Sequence, residues 1–468
     1  MTRTESTLRA LSARLLTPVD AAWLVALRVG YGLALAISIW RFIVNGWVDT
    51  LFVRPTFAFK YWGFEWVQAL PADELHALFW ALLGLALCLA AGLAFRVTCF
   101  AFTLGLIYIQ LLDVTTYLNH YYLAALLGLL LSASPAGQNF SVDAWLRRKL
   151  GRARRDPSVA TAWLYLFRFQ VGVVYFFAGM AKLQSDWLLH AQPLRIWLGN
   201  STGLPFIGPV LTWSFVPLLL SWCGFLFDTT IVGFLSFKRT RPYAYAVVLV
   251  FHTLTRVLFP IGMFPVIMSL AALVFFSPSW PRFLLQKLGI ASAAFPGVSE
   301  AAGTSPSALR NLALLAGAAW IALQLVLPLR SLAYGGNVLW HEQGMRFSWR
   351  VMVRAKGGGT MFVVHSPRTG KTYDVNPGQY LTRLQESEMS NQPDLILQLA
   401  HHVHDDFFER GFGDVEVRAE SRAGLNGRRS APLIDERVDL ARVEDGLGRA
   451  RFILPPPTEP PAHTRPVL

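Results

Sequence analysis

Charged residues are scarce in this chain of 468 residues, because Asp, Glu, Lys and Arg make up only 15% of it. Soluble globular proteins carry roughly a quarter charged residues. Hydrophobic residues reach 54% of the chain. This balance excludes an ordinary soluble domain and predicts that much of the chain lies in a membrane.

Cysteine is also rare, and the three cysteines are Cys88, Cys99 and Cys223. Their number and positions exclude a disulfide framework, a cysteine zinc site and a redox pair. The segment His401–Asp406 is rich in His and Asp, but on a helix these residues divide between two faces and leave two incomplete metal sites. We therefore interpret it as a solvated amphipathic face, and we expect no metal.

Long apolar runs dominate the first two thirds of the chain. A helix needs about 20 mostly apolar residues to cross a membrane with its backbone groups bonded internally. The predicted fold class is a polytopic α-helical membrane protein with about nine spans, the sixth of which is long enough to be tilted or broken. The runs are Ala22–Ile43, His76–Phe95, Val97–Leu112, Tyr117–Ser134, Trp163–Ala181, Phe206–Phe237, Ala244–Phe259, Ile261–Phe276 and Leu309–Leu329.

Basic residues between the runs predict the orientation. The polar segment Met1–Asp20 carries no cleavable signal peptide, and placing it in the cytoplasm puts every Arg- and Lys-rich loop on that side. The net charge of +13 could indicate nucleic acid or anionic lipid, but the main cluster, Arg147–Arg155, lies between two apolar runs. We interpret it as a topology signal and expect no nucleic-acid partner.

Four regions follow from this reading. They are a cytoplasmic N-terminus (1–21), a helical membrane domain (22–329), a periplasmic or lumenal domain (330–445) and a Pro-rich tail (446–468) that we expect to be disordered. A cytoplasmic connector is predicted at Leu288–Ser307. The absence of disulfides and the compact size favour a bacterial inner-membrane protein.

The outer domain has an α+β or β-rich pattern. Phe347–Val353 alternates like a strand, Lys356–Thr360 resembles a turn, and Met361–His365 would be the partner strand. Asn376–Gly378 marks another turn, and Asp394–Phe408 has helical periodicity. The sequence therefore predicts a hairpin followed by a helix.

Polar residues within the apolar runs are costly and call for a reason. Arg168, Tyr175 and Lys182 recur every seven residues, so they share one stripe that leads to the outer end of the fifth run. Lys182 could be catalytic, or it could simply extend its charge to the membrane interface. Asp228, in the sixth run, is interpreted as a helix-pairing residue nearer the cytoplasm.

Two other runs place polar residues at a similar depth. Asn119 and His120 begin the fourth run at the outer face, while His252 and Arg256 lie near the outer end of the seventh. A single histidine in a helix is more often a satisfied core group than a catalyst. The convergence of three helices is what predicts a site.

Several motifs resemble the vitamin K-dependent γ-glutamyl carboxylases and their bacterial relatives. Val174–Trp187 (V-Y-F-F-A-G-M-A-K-L-Q-S-D-W) is similar to a long family stretch, as are Phe251–His252 with Ile261–Phe264 (F-H, I-G-M-F) and Ser277–Arg282 (S-P-S-W-P-R). The resemblance continues through Leu327–Leu332 and further segments of the outer domain, and it covers roughly residues 20 to 445.

The resemblance implies a reaction and assigns roles. In the family, a lysine at the position of Lys182 takes a proton from vitamin K hydroquinone, oxygen adds, and the oxygenated quinol removes the γ-proton of a glutamate, which then captures CO2. Asn119 and His120 would support the base or the developing oxyanion. His252, Tyr175, Arg256 and Met263 are the residues expected to bind the hydroquinone.

The glutamyl peptide is expected to bind in the outer segments. Arg437 would hold the carboxylate, and Trp340, Trp349, Met352 and Arg195 would bind the peptide. The two tryptophans and Met352 could equally be domain core.

Three functions remain open. The first is γ-carboxylation coupled to epoxidation of vitamin K hydroquinone, with O2 and CO2 as co-substrates and a glutamate-containing protein or peptide as partner. The second is a quinol epoxidase of the same family without carboxylation. The third, a transporter or membrane-anchored binding protein, is disfavoured because we find no internal repeat. The sequence leaves the acceptor, the quinone and the oligomeric state undetermined.

Overall fold

The computed structural model describes residues 13–153, 155–289 and 307–461. The predicted connector Leu288–Ser307 therefore lies almost entirely outside the described residues, as does most of the predicted N-terminal segment.

Nine helices among the described residues follow the nine predicted apolar runs, with ends shifted by a few residues. The long sixth run is divided into the short helix Gly208–Leu211 and a long helix. The nine are α1 (Ala22–Val44), α2 (Ala72–Ala91), α3 (Phe95–Leu112), α4 (Asn119–Ala133), α5 (Thr161–Lys182), α6 (Val216–Ser236), α7 (Arg241–Leu258), α8 (Phe264–Ala272) and α9 (Ser307–Leu329).

The span count of nine is not confirmed. Within the described residues, six helices are long and apolar enough to cross a membrane, or up to seven if α8 and the helix Trp280–Lys287, bent by 100°, form one broken span. Helix α4 has only 15 residues, or about 22 Å at 1.5 Å per residue, and α7 carries Arg241, His252 and Arg256. The described helices therefore support six or seven spans by length and composition.

Arg168, at one end of the predicted stripe along α5, has a structural role. Its guanidinium donates to the carbonyls of Val274 (2.9 Å) and Phe275 (3.1 Å), where the turn after α8 ends. Carbonyls at a helix end have no intrahelical partner. Arg168 therefore joins α5 to α8, and the rest of the stripe leads away to the opposite end of the helix.

The outer domain is built on a four-stranded antiparallel sheet in the order β4 (Lys371–Val375), β3 (Lys356–Ser366), β5 (Glu416–Leu425) and β6 (Ala431–Pro432). The central strand β3 pairs along its length with β5 and at its C-terminal end with β4. Helices Arg383–Met389 (α10) and Pro393–Glu409 (α11) accompany the sheet. A separate pair of strands, β1 (Pro18–Asp20) and β2 (Ser158–Ala160), connects the starts of α1 and α5.

The predicted hairpin is wrong, since its first strand is absent and its turn lies inside a strand. The glycines of Lys356–Thr360 lie inside β3 and not in a turn. Gly358 fits against the neighbouring strand because it has no Cβ, which would lie 2.6 Å from the Arg422 carbonyl oxygen. Phe347–Val353 forms no strand; it is a loop with left-handed backbone at three non-glycine residues. The turn at Asn376–Gly378 and the helix at Asp394–Phe408 are both present.

The Pro-rich tail packs against the outer domain as far as the structure describes it. The Leu454 N–H donates to the Leu433 carbonyl (2.9 Å), and the Trp340 indole donates to the Leu454 carbonyl (2.8 Å). The expected disorder therefore does not hold for the described part of the tail. Residues 462–468 lie outside it.

A buried ion pair joins the outer domain to the end of α5. Asp186 accepts from both terminal nitrogens of Arg428 (2.6 and 2.7 Å) and from the Asn426 amide (3.0 Å). Burial raises the pKa of the Asp186 carboxyl, but these hydrogen bonds outweigh it and hold the pKa below its usual value. The pair therefore fixes the end of β5 to Asp186, which lies four residues after Lys182 in the chain.

We expect Arg428→Ala to destabilise the protein by about 3 kcal/mol, because the change leaves the Asp186 carboxylate buried without its charged partner. The apparent melting temperature in detergent measures the loss. Since the folded-state pKa of Asp186 is depressed, its contribution is present at neutral pH and disappears as the pH falls through that pKa. The exposed neighbour Arg429→Ala is the control, and equal melting temperatures for the two variants would contradict the assignment.

Candidate active site

Lys182 points into the helix bundle. It is the last residue of α5, yet only 5% of it is exposed. Helical side chains lean toward the N-terminus of their own helix, and Lys182 Nζ donates to the Ala178 carbonyl one turn earlier (3.2 Å). The alternative that this lysine extends outward to the membrane interface is therefore wrong.

Asp228 is the ion-pair partner of Lys182. The Nζ–Oδ2 distance is 2.8 Å, and the two side chains are only 6% and 8% exposed. This corrects the interpretation of Asp228 as a helix-pairing residue away from the site: the lysine reaches back by a turn, to the depth of the carboxylate on α6. Gly179 allows this approach, since a Cβ there would lie 2.7 Å from Thr229 Cγ2.

The amine of Lys182 has three acceptors around it. Besides Asp228 and Ala178, the carbonyl oxygen of Val351 lies 3.3 Å from Nζ, and it comes from the outer domain. An ammonium group has three N–H donors, so this shell satisfies the protonated form. A neutral amine requires that one of these contacts be given up or that a proton pass to Asp228.

A large cavity of about 1600 Å³ lies beside this pair. It is bounded mainly by α4, α5, α6, α7 and α8, and the loop residues Val351 and Met352 form part of its wall. Its aromatic walls include Phe227 and Phe251, which stack at 3.8 Å, and Phe264. The cavity is therefore mostly apolar, with a few polar groups.

Those polar groups include the predicted histidine of α7. His252 Nε2 lies 3.0 Å from the Tyr175 hydroxyl. Its other ring nitrogen, Nδ1, is buried and has no hydrogen-bond partner within the part of the chain that the structure describes. Which nitrogen carries the proton depends on the tautomer, and either way one buried nitrogen remains available to a ligand.

The predicted residues of α4 and the outer end of α7 line the same cavity. His120 is 5% exposed, and Asn119 accepts a hydrogen bond from the Tyr117 hydroxyl (3.1 Å). Arg256 is exposed at the rim, where it donates to the Gly262 carbonyl (2.8 Å). Three helices thus bring their polar residues together around one cavity, as the sequence predicted.

A second cavity of about 560 Å³ lies between the membrane helices and the outer domain. One side is apolar and comes from α1, α2 and α3. The other side is charged and comes from the outer domain. The charged residues lining it are Glu342, Arg346, Arg350, Arg354 and Glu388.

The three arginines of this cavity differ in their partners. Burial alone would lower the pKa of Arg346 and Arg354, but Asp394 and Glu342 respectively outweigh it and raise both values. Burial lowers the pKa of Arg350, which has no carboxylate partner among the described residues. It donates from Nη2 to the Ser331 hydroxyl (3.2 Å), and its buried Nε is unpaired there. Arg350 is therefore the arginine of this cavity that can take a carboxylate.

Several predicted residues do not reach either cavity. Met263 packs in the membrane core, and Trp340 and Trp349 are buried in the two hydrophobic cores. Arg195 donates to the His190 carbonyl (3.1 Å). Arg437 is at the surface, with its side chain 87% exposed and paired to Asp435. The structure thus does not bring the predicted carboxylate clamp to the site.

Sequence reasoning missed two residues. Asp228 had been noted as an intramembrane carboxylate, but its pairing with Lys182 depends on a side chain folded back along α5. Arg350 gave no clear signal, although Arg346, Arg350 and Arg354 recur every four residues. That spacing indicates a helix face, whereas the segment is a loop.

Comparison with known protein families decides the identity of the chain. A family model described as HTTM domain matches residues 16–280, and one described as vitamin K-dependent gamma-carboxylase, lumenal domain, matches residues 309–459. The chain belongs to the vitamin K-dependent γ-carboxylase family. This confirms the resemblance found in the sequence. No solved structure matches the chain.

The two family domains of this γ-carboxylase family member meet at the site. The HTTM domain supplies Lys182, Asp228 and the histidines, and the lumenal domain supplies Val351, Met352 and the arginines of the smaller cavity. Membership implies a dependence on vitamin K hydroquinone and a glutamate-containing substrate. The lumenal domain also indicates that the C-terminal region is extracytoplasmic.

The Lys182–Asp228 pair predicts non-additive stability in this family member. Lys182→Met and Asp228→Leu each leave one buried charge unpaired, and we expect each to cost roughly 3–5 kcal/mol. The double variant replaces both charges by apolar groups and should recover most of that loss. Apparent melting temperatures of the four proteins test this. A double variant that loses the sum of the two single changes would contradict a direct pair.

Proposed function

We propose that this protein carboxylates glutamyl residues of a protein or peptide to γ-carboxyglutamate, coupled to oxygenation of vitamin K hydroquinone to its 2,3-epoxide. Oxygen and CO2 are the co-substrates. The observation that carries the proposal is the sheltered amine of Lys182, held on Asp228 in the wall of a large apolar cavity that His120 and His252 also line.

The larger cavity suits a lipid-soluble quinol. Its volume of about 1600 Å³ exceeds the usual range of roughly 300–1000 Å³ for small-molecule sites, which leaves room for an isoprenoid tail. Phe227, Phe251 and Phe264 provide ring-stacking surfaces. The buried, unpaired Nδ1 of His252, an orphan among the described residues, offers a hydrogen bond to a quinol oxygen.

Lys182 and Asp228 would handle the proton of the quinol hydroxyl. A general base must lie within hydrogen-bond reach of the proton it takes and must be unprotonated, which for an amine means uncharged. Asp228 Oδ2, 2.8 Å from Nζ, is the atom that can hold the proton released by the amine. Asn119 and His120 would donate to the developing oxyanion in a water-poor site. When bound, the hydroquinone and oxygen together supply the strong base that removes the γ-proton.

The smaller cavity would receive the glutamyl side chain. Arg350 replaces Arg437 as the proposed carboxylate anchor, because it lines this cavity and has no carboxylate partner in the described chain. Met352 lines the cavity as well, but it forms part of the wall and is no longer proposed as a peptide-binding residue. The native acceptor would arrive from the aqueous side of the outer domain.

We also propose an orientation with the N-terminus in the cytoplasm and the outer domain outside, in a bacterial inner membrane. The support is the distribution of basic loops. The helix Val142–Lys149, with Arg147, Arg148 and Lys149 in its last turn, lies between α4 and α5 at the end away from Lys182.

The base role of Lys182 predicts that a variant can keep the ion pair with Asp228 and still lose epoxide formation. Arginine cannot lose its proton in a protein, so Lys182→Arg retains a cation for Asp228 but not a base. We expect epoxide formation by Lys182→Arg and Lys182→Ala to fall by about 100-fold or more. Purified protein is assayed with reduced phylloquinone or menaquinone, oxygen, labelled bicarbonate and a Glu-rich peptide.

The same assay separates the possible functions. Epoxide together with labelled peptide supports the proposal, whereas epoxide without label would identify a quinol epoxidase. Lys287→Ala, in the cytoplasmic-side helix Trp280–Lys287, is the control and should retain full activity. Unchanged epoxide formation by Lys182→Arg would remove the lysine from the mechanism.

The carboxylate anchor predicts a peptide-specific defect. We expect Arg350→Ala to raise the KM for the Glu-rich peptide by about 30-fold or more, on the order of 2 kcal/mol for a lost buried charge contact. The KM of Arg350→Lys should lie between those of the wild type and Arg350→Ala, because lysine supplies a single point charge. Epoxide formation without peptide should be unaffected.

The control for this prediction is Arg437→Ala, which removes an exposed arginine paired to Asp435. We expect a wild-type KM for that variant. A raised KM for Arg437→Ala and a normal one for Arg350→Ala would reverse the two assignments.

A further inference from the structure

The two cavities are separated by a single layer of side chains. Five residues line both of them, so each of these residues has one side toward the larger cavity and another toward the smaller. Four belong to the membrane domain, and only Met352 comes from the outer domain. The five are Trp47, Leu118, Asn119, Tyr121 and Met352.

Met352 lies in a loop with an unusual backbone. Phe347, Trp349 and Met352 have φ values of +62°, +58° and +53°. For a non-glycine residue this conformation costs about 1–3 kcal/mol, and it persists only where surrounding contacts determine it. Such strain concentrates at functional sites.

Two contacts hold this loop against α4 and its preceding turn. Trp349 is fully buried and stacks on Tyr122 with 4.8 Å between the ring centroids. The Phe347 N–H donates to the Tyr117 hydroxyl (2.9 Å). The loop is therefore fixed to the membrane helices, and its last left-handed residue, Met352, is held at the boundary between the cavities.

The residue before Met352 contacts the proposed base directly. The Val351 carbonyl accepts from Lys182 Nζ (3.3 Å). Met352 is joined to that carbonyl by the peptide bond, so its backbone lies next to the amine. A methionine side chain is apolar, unbranched and adaptable. It can exclude water from the boundary and still move enough for groups on its two sides to meet.

We propose that Met352 is the partition between the two cavities and determines how tightly quinol oxygenation is coupled to carboxylation. This inference rests on the proposed function. The γ-carbon on one side gives its proton to the oxygenated base generated on the other, and the electron pair left on that carbon forms the new bond to CO2. Water at the boundary would protonate the base or the carbanion first.

A smaller side chain at residue 352 therefore uncouples the two products. Met352→Ala should form epoxide within about threefold of the wild-type rate, while the ratio of carboxylated peptide to epoxide falls by about fivefold or more, because water enters a previously closed site. Met352→Gly removes the same side chain and suits a φ of +53°, so it should uncouple equally without backbone strain. Met352→Leu nearly conserves volume and should retain the wild-type ratio.

A second measurement requires no turnover. A spin-labelled naphthoquinone bound in the larger cavity reports nearby water through deuterium modulation in D2O. Met352→Ala and Met352→Gly should increase this modulation, whereas Met352→Leu should match the wild type.

The results separate this inference from the proposed function. A wild-type protein that forms no epoxide would contradict the proposed function, and the D2O measurement would still test the partition. An unchanged product ratio in an active Met352→Ala, or unchanged deuterium modulation in both small variants, would overturn the role of Met352.

Discussion

The buried ion pair between Lys182 Nζ and Asp228 Oδ2 is the interaction on which the site depends. The pair lies in the wall of an apolar cavity, where an unpaired charge is strongly penalised. The 2.8 Å contact between the two groups lowers that penalty for both. The close approach of α5 and α6 at Gly179 is the packing condition for it.

The site is completed only when the two domains meet. The outer domain supplies the third acceptor of Lys182 through Val351 and the boundary residue Met352. The Asp186–Arg428 pair fixes the outer sheet just beyond the end of α5. A shift between the domains would therefore change the environment of the amine and the boundary between the cavities together.

Much of the membrane site could be predicted from the sequence. Seven-residue spacing placed Tyr175 and Lys182 on one stripe. His120 and His252 could be assigned to the same site because their apolar runs place them at a similar depth. The outer site could not be predicted in this way. Arg437 lies in an outer segment expected to bind the substrate but pairs with Asp435 at the surface. Arg350 reaches the smaller cavity through an irregular loop that no periodicity describes.

The sequence by itself determined that this is a helical membrane protein, which family it resembles, and that Lys182 is a candidate base. Apolar runs and local motifs carry that information because each depends on residues close together in the chain. Only the tertiary structure decided that Lys182 folds inward to Asp228, that the glycines of Lys356–Thr360 lie within a strand, and that Met352 lines two cavities. Those features depend on packing between segments distant in the chain, and side-chain direction and domain contact are not encoded in local spacing.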